Sequence, residues 1–295
     1  EDIFRASKGA ARSLLGKAYL YQEKWSESAQ AFEQVIASNE YQLQADFSTL
    51  FLKESEFGVE SIFEGSWVTS VGYDWGTFQW NGNRAMENNI TWQLTGPRGD
   101  YFVPGSSGLI GGWGFNYPRD NAYQVFVDAG DVTRKPASLL SLADLRALGG
   151  DWTNESSWGW GGYIRVKYGT RLDETNSENG AVAELNYGTN LRLLRYADIL
   201  LMAAEANFRA GDNGKAGTYL NQVRERANLA PYSGDLFQAL IKERQLELCF
   251  EGVRFLDLIR WGMAPDVLGS KGFISGKNEL YPIPKSEIMN NSKAE

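Results

Sequence analysis

Residues 191–229, LRLLRYADILLMAAEANFRAGDNGKAGTYLNQVRERANL, and residues 243–262, ERQLELCFEGVRFLDLIRWG, decide the fold. Leu193, Tyr196, Ile199, Leu200, Ala203, Ala204 and Ala206 recur at the three-and-four spacing that gives a helix one apolar face, and Gly211-Asp212 stops the pattern. Ala216, Leu220, Val223 and Ala227 carry the same spacing through a second helix, with Lys215, Arg224, Glu225 and Arg226 mostly off that face. Ala203, Ala206 and Ala216 are small enough for two helices to pack with axes about 8–10 Å apart. The stretch therefore reads as a helical hairpin.

A third helix, capped by Gly234 or Asp235, follows. Leu236, Ala239, Leu240, Leu246, Leu248 and Phe250 form its apolar side, and Glu243, Arg244 and Glu247 its polar one. After the break at Gly252, Arg254 to Trp261 makes a short helix with Asp257 and Arg260 three residues apart. These charges are expected to pair at the helix surface, where an exposed pair contributes only ~0–1 kcal/mol. The hairpin resembles a tetratricopeptide repeat, with Asn213 where the repeat usually has an aromatic. A better preserved repeat runs from Ser7 or Lys8 to Tyr21 and from Ser26 to Ala37, where Leu15, Gly16, Ala18, Tyr19, Trp25, Ala29, Ala31, Phe32 and Val35 fall at packing positions. Repeats bury their faces on neighbours, so the two hairpins should stack in space and the sequence between them should loop out.

That insertion changes composition at Gly65. Eight of the ten tryptophans lie between Trp67 and Trp160, interleaved with glycine in VGYDWGTFQWNGN (71–83), IGGWGFNYP (110–118) and SSWGWGGYIRVKY (156–168). Such sequence makes poor helix and poor sheet, because each glycine adds backbone freedom that folding must remove. It reads as long loops carrying aromatics, with short helices over 121–130 and 138–149, a strand over 163–168 and a flexible return over 173–190. Three segments result: 1–64, the helical hairpin; 65–190, the aromatic insertion; and 191–295, the second hairpin with its following helices, together forming one compact domain.

Indole and phenol rings stack on the C–H faces of sugars while nearby carboxylates and amides take the hydroxyls. Trp75 and Trp80, with Tyr73, Asp74, Asn81 and Asn83 beside them, are the first candidate ligand contacts, then Trp92; Trp158 and Trp160 form a second candidate group. The competing reading is that loops this long need a core of their own, for which tryptophan is the largest unit. Trp25 is read as repeat packing. A glycoside hydrolase would want two carboxylates ~5–10 Å apart across such a cleft; Asp74, Glu87, Asp100, Asp120 and Asp151 are available, but no spacing selects a pair. The 172–179 stretch LDETNSEN lacks the spacing of a calcium loop and reads as solvated.

With 295 residues, 43% of them hydrophobic, the chain can bury a sizeable core. Its net charge of −8 argues against nucleic acid as a partner. It has no histidine, which removes the commonest general base and every Ser-His or Cys-His nucleophile pair. The single cysteine, Cys249, reads as a small buried hydrophobe. No apolar run approaches the ~20 residues that cross a bilayer.

RYADILLMAAEA (195–206), VRERANL (223–229), ERQLELCFEGVRFLDLIRWG (243–262) and NELYPIPKSEI (278–288), in that order, resemble the C-terminal half of the SusD/RagB family, outer-membrane nutrient-binding lipoproteins of Bacteroidetes. The resemblance implies a mainly α fold in which a tetratricopeptide-like scaffold carries a long aromatic loop insertion. It also implies capture of an oligosaccharide or polysaccharide at the cell surface and delivery to a SusC-like TonB-dependent transporter. It implies a lipid anchor on an N-terminal cysteine outside this chain, with roughly the first two-fifths of the parent protein missing, an estimate that leans on usual domain sizes. Independently of the resemblance, with no histidine, no nucleophile motif of the G-x-S-x-G type and no metal cluster in the sequence, the chain is expected to be no enzyme and to hold no cofactor or metal. GWGFN (112–116) resembles a scaffold block, so Trp113 is expected to support the site without touching ligand. The family's ligand residues vary with the glycan, and some members take up peptide, which leaves peptide binding as the alternative; a hydrolase or a protein-interaction scaffold stands behind it.

Overall fold

The computed structural model, which describes residues 5–78, 87–157 and 159–291, starts its first helix, α1 (Lys8–Tyr21), at Ser7. The Ser7 hydroxyl accepts the Ala10 amide at 3.0 Å and so satisfies one of the helix's orphan donors. Helix α2 (Trp25–Ile36) returns against it. Gly16 permits the close approach, since a Cβ there would lie 2.7 Å from the Phe32 ring. Strand β1 (Ser61–Gly65) follows, and the insertion then supplies α3 (Thr91–Thr95), β2 (Phe102–Val103), α4 (Asp120–Ala129), α5 (Arg134–Ser138), β3 (Leu139–Ser141), α6 (Leu142–Ala147), β4 (Asp151–Trp152) and β5 (Tyr163–Arg165). The chain comes back through β6 (Leu191–Arg195) into α7 (Tyr196–Arg209), α8 (Asn213–Arg226) and α9 (Leu236–Glu247).

The hairpins stack as the repeat pattern requires: α2 packs along α7, α7 against α8, and α9 against both. Lys215 of α8 reaches Glu33 of α2 at 3.0 Å, and the Arg209 guanidinium sits over the Trp25 ring, which gives Trp25 its packing role. Strands β1 and β6 pair antiparallel, with Gly65 opposite Leu191 and Ser61 opposite Arg195. The insertion therefore leaves and re-enters the scaffold at one place.

Several local expectations are corrected. Residues 191–195 form a strand and not the start of a helix, so Leu193 points outward and is exposed. Over 138–149 a strand precedes the helix, and the turn between them is a capping box in which Ser141 and Asp144 bond each other's amides. Helix α7 has no solvent face over its first three turns, being buried from Tyr196 to Asn207. The 173–190 return is pinned, not loose. Its buried Thr189 hydroxyl donates to Glu174 at 2.7 Å, and Asn190 both donates its side-chain amide to Glu64 (2.9 Å) and gives its backbone N–H to Glu56 (2.8 Å).

The largest correction concerns α9, whose charged side faces inward. Glu243, Arg244 and Glu247 are buried. Glu247 accepts from Arg195 (2.6 Å), Arg134 (2.7 Å) and Arg226; Glu243 accepts from Arg134 (2.6 Å) and Arg224 (2.9 Å); Arg244 donates to Asp198 (2.9 Å). Lys167 donates to the Glu247 carbonyl at 2.9 Å. Arg134 and Lys167 belong to the insertion and the other cations to the repeat segment, so this network joins the two.

The chain divides into two compact units, Glu1–Phe250 and Glu251–Glu295. Phe250 and Gly252 both take positive φ, 66° and 80°, and the chain turns there. Within the second unit, α10 (Arg254–Arg260) carries the Asp257–Arg260 pair at 2.9 Å, and α11 (Ala264–Leu268) and α12 (Lys285–Asn290) follow.

Candidate functional site

Asn186 is fully buried and clamps the first aromatic loop. Its Oδ1 accepts the Tyr73 N–H at 2.7 Å, and its Nδ2 donates to the Tyr73 carbonyl, also at 2.7 Å, a carbonyl that takes a further bond from the Val182 amide. Next to this anchor, Asp74 Oδ1 accepts the Gly76 amide (2.9 Å), the Thr77 amide (2.8 Å) and the Thr77 hydroxyl (2.8 Å). The Thr77 hydroxyl, followed by its amide, holds the Asp74 carboxyl below the usual carboxylate range. A turn closed this way presents Trp75 at its tip, 51% exposed.

A second loop is zipped onto the end of α3. Trp113, Gly114 and Phe115 donate their amides to the carbonyls of Gln93 (2.8 Å), Gly96 (2.9 Å) and Leu94 (2.8 Å). Only glycine fits here: a Cβ on Gly111 would lie 2.7 Å from the Gly99 Cα, and one on Gly112 would lie 2.7 Å from the Gly96 Cα. The result is a partly exposed Trp113 whose ring is nearly parallel to that of Trp75, 13° between planes and 6.3 Å between centroids. At that separation the rings are an offset pair, one of the arrangements their quadrupoles favour. The sequence reading missed the pairing; the signal it contained was the glycine punctuation on both sides of Trp113.

The other candidates fall elsewhere. Trp92 is corrected from contact to core: it is 3% exposed, stacks on Tyr168 with centroids 4.4 Å apart and donates its indole N–H to the Thr189 carbonyl at 3.0 Å. Tyr73 is likewise buried, its hydroxyl donating to the Glu87 carboxylate, so it anchors the loop and offers no ring face. Trp160 lies flat on Trp152 (3.8 Å, 4°) with Tyr117 at its edge, in a small core of the insertion with Phe102, Leu145 and Ile164. Trp80, Asn81, Asn83 and Trp158 lie outside the described residues. Of the described candidates, Asp74 and Trp75 share one turn, and Trp113 stacks on Trp75.

The carboxylates that a hydrolase would need have other partners. Asp100 pairs with Arg98 at 2.8 Å, Asp151 with Arg146 at 2.8 Å, Asp120 accepts the Tyr163 hydroxyl at 2.6 Å, and Glu87 takes that of Tyr73. A general acid needs a raised pKa. Asp74 is shifted downward, as is Asp151, whose carboxyl is lowered by the Trp152 amide and then by Arg146.

Asn186→Ala should cost about 2–3 kcal/mol, because it removes the buried bonds to the Tyr73 N–H, the Tyr73 carbonyl and the Val182 carbonyl and leaves the Tyr73 carbonyl to the Val182 amide. Urea unfolding followed by tryptophan fluorescence measures this; a loss under about 0.5 kcal/mol, the scale of a surface substitution, would show that the clamp is not needed.

The sequence model of the SusD family matches residues 69–273. SusD-like protein P2 of Formosa agariphila is 28% identical over 321 residues, 97% of this chain and 58% of that protein. Starch-binding protein SusD of Bacteroides thetaiotaomicron is 36% identical over 128 residues, 39% of this chain and 22% of that protein. Among solved structures, a laminarin binding SusD-like protein superposes with a TM-score of 0.83 and 31% identity, covering 98% of this chain and 62% of its own. Surface glycan-binding protein A from Bacteroides thetaiotaomicron, in complex with laminarihexaose, does so with a TM-score of 0.80 and 29% identity over 97% and 62%. The chain spans about three-fifths of the length of the SusD-like relatives that match it end to end. A family match running from the aromatic insertion through the repeat hairpin and the helices after it, on a scaffold that superposes on SusD-like structures, establishes that the chain belongs to the SusD family.

Proposed function

We propose that this chain binds oligosaccharide on the Trp75–Trp113 pair and releases it unchanged. The observation that carries the reading is that pair: two nearly parallel, partly exposed indoles on loops fixed by buried hydrogen bonds. Fixed rings matter because a surface that is already ordered loses little side-chain freedom when ligand arrives. A sugar ring lays its C–H face on each indole, and polar loop groups meet the hydroxyls. The glycan named for two similar structures, laminarin or laminarihexaose, makes a laminarin oligosaccharide the first ligand to try, with a starch oligosaccharide second. Binding without turnover is supported by the partnered carboxylates and by the absence of histidine from the sequence.

The wider role belongs to the same reading. The parent protein sits on the outer face of the outer membrane by a lipid on an N-terminal cysteine outside this chain, and passes glycan to a SusC-like TonB-dependent transporter. Among the described residues no helix is long and apolar enough to cross a membrane.

Calorimetry with laminarihexaose and a starch oligosaccharide tests the site. Trp75→Ala should weaken binding about thirtyfold, the ~2 kcal/mol that a packed interface aromatic commonly carries, with unfolding unchanged. Wild-type affinity in that variant, or binding of peptide and of no glycan, would overturn the reading.

A further inference from the structure

Asp74 divides its two carboxylate oxygens between different tasks. Oδ1 accepts the Gly76 amide, the Thr77 amide and the Thr77 hydroxyl, which saturates that oxygen and fixes the rotation of the carboxyl group. Oδ2 receives no hydrogen bond or ion pair from the described residues, and the residue is exposed. Asp100 and Asp151 are used differently, each with an arginine at 2.8 Å. The carboxyl of Asp74 is held ionised by its Thr77 bonds and cannot turn without opening its own loop.

The free oxygen sits beside a ring. Trp75 is the next residue, and consecutive Cα atoms lie ~3.8 Å apart, so a sugar seated on that indole brings its hydroxyls within reach of Oδ2. Asn186 clamps the backbone just before the turn through both polar groups of Tyr73, so acceptor and ring are held together. Across residues 71–78 and 111–117, which carry Trp75 and Trp113, Asp74 is the only charged residue. A carboxylate oxygen with open lone pairs accepts hydroxyl protons in charge-assisted bonds, roughly twice as strong as neutral ones. To a uronate or a sulfate it offers no donor and a like charge.

We propose that Asp74 is a specificity-determining residue of the ring pair: its free Oδ2 accepts sugar hydroxyls beside Trp75 and restricts the site to uncharged glycans, against chains that carry uronate or sulfate. The inference rests on the Trp75–Trp113 reading and adds to it the charge class of the ligand.

Calorimetry with laminarihexaose, a starch oligosaccharide and the chemically sulfated form of each tests it. At about 0.01 M ionic strength, where charges act over about 30 Å, wild type should bind the neutral glycan at least about tenfold more tightly than its sulfated form. The ratio should shrink several-fold at about 1 M, where that reach is about 3 Å. Asp74→Asn keeps an Oδ1 for the three turn bonds and removes the charge and the free acceptor. It should unfold in urea like wild type, bind the neutral glycan about tenfold more weakly, as expected for a lost hydrogen bond to a charged group, and lose most of the discrimination against sulfate. Wild-type affinity for the neutral glycan in Asp74→Asn, or a ratio that neither salt nor the substitution moves, would overturn the proposal and leave the ring pair, which Trp75→Ala tests, in place. If wild type binds no neutral glycan, the ring-pair reading fails and this one fails with it. If Asp74→Asn is unstable, the salt dependence of the wild-type ratio decides alone.

Discussion

Glu247→Gln should destabilise the first unit by about 3–5 kcal/mol, the usual cost of removing one partner from a buried ion pair. Glu247 accepts from Arg134, Arg195 and Arg226, and all four side chains are nearly or wholly out of solvent. Taking the anion away leaves three guanidinium groups to share Glu243, Glu60 and Asp131, with less negative charge than before. Against a total stability of about 5–15 kcal/mol for a domain, that loss puts the variant close to unfolding at moderate temperature.

The same group sets an acid limit. Burial pushes the Glu247 carboxyl up, but Arg226, Arg195 and Arg134 outweigh it and hold the group well below its ordinary value of 4.5. A carboxyl whose folded pKa is depressed contributes stability that is fully present above its unfolded pKa and disappears as pH falls through the folded value. Wild-type urea midpoints should therefore be flat from neutral pH down to about 5 as far as this group is concerned, then fall. Glu247→Gln should start lower and lose part of that slope. A variant within about 1 kcal/mol of wild type, with the same acid slope, would mean that the network tolerates the missing charge.

How far the fold could be read from the sequence is explained by what periodicity encodes. The two hairpins were legible because three-and-four spacing marks the packing faces of Ala29, Phe32 and Val35 in α2 and of Ala203 and Ala206 in α7, and all of these are buried. The direction of the charges on α9 was not legible. The spacing puts Glu243, Arg244 and Glu247 on the same helical face as Leu240, but it does not show that this face is buried, and the cations that make the burial tolerable come from residues 134, 195, 224 and 226. The β1–β6 ladder was hidden for a similar reason: each strand is only five residues, and its partner lies across the whole insertion.

In the aromatic insertion the sequence narrowed the site to a segment but did not rank its rings. Trp75 and Trp92 both have polar neighbours in sequence, and what separates them is distant. Trp75 is lifted on a turn that Asn186 holds from behind, whereas Trp92 is drawn in by the Thr189 carbonyl, 97 residues away in sequence. Trp113 joined Trp75 because glycines 96, 99, 111 and 112 let two backbones touch, a contact that no local pattern announces.

Trp92→Ala separates these two roles most sharply. Trp92 packs with Phe47, Leu50, Phe51, Tyr168 and Tyr187 in one buried cluster, its ring 7° from parallel to that of Tyr168. Truncating it should cost about 3–5 kcal/mol, the range for a buried Trp or Phe replaced by alanine. Trp92→Phe would keep most of the ring and lose the indole N–H, leaving the buried Thr189 carbonyl with one bond fewer, and should cost less, about 1–3 kcal/mol. Because the Thr189 hydroxyl bonds Glu174 and the Thr189 carbonyl takes bonds from both Trp92 and the Asn89 side-chain amide, the loss should loosen the return that also carries Asn186. Chemical unfolding together with calorimetry on whatever glycan binds the wild type distinguishes the outcomes. A core tryptophan gives a large fall in stability, and the fraction still folded binds with at most a modest loss. If Trp92→Ala instead unfolds like wild type and loses ligand about thirtyfold, the ring is a contact and the core assignment is wrong.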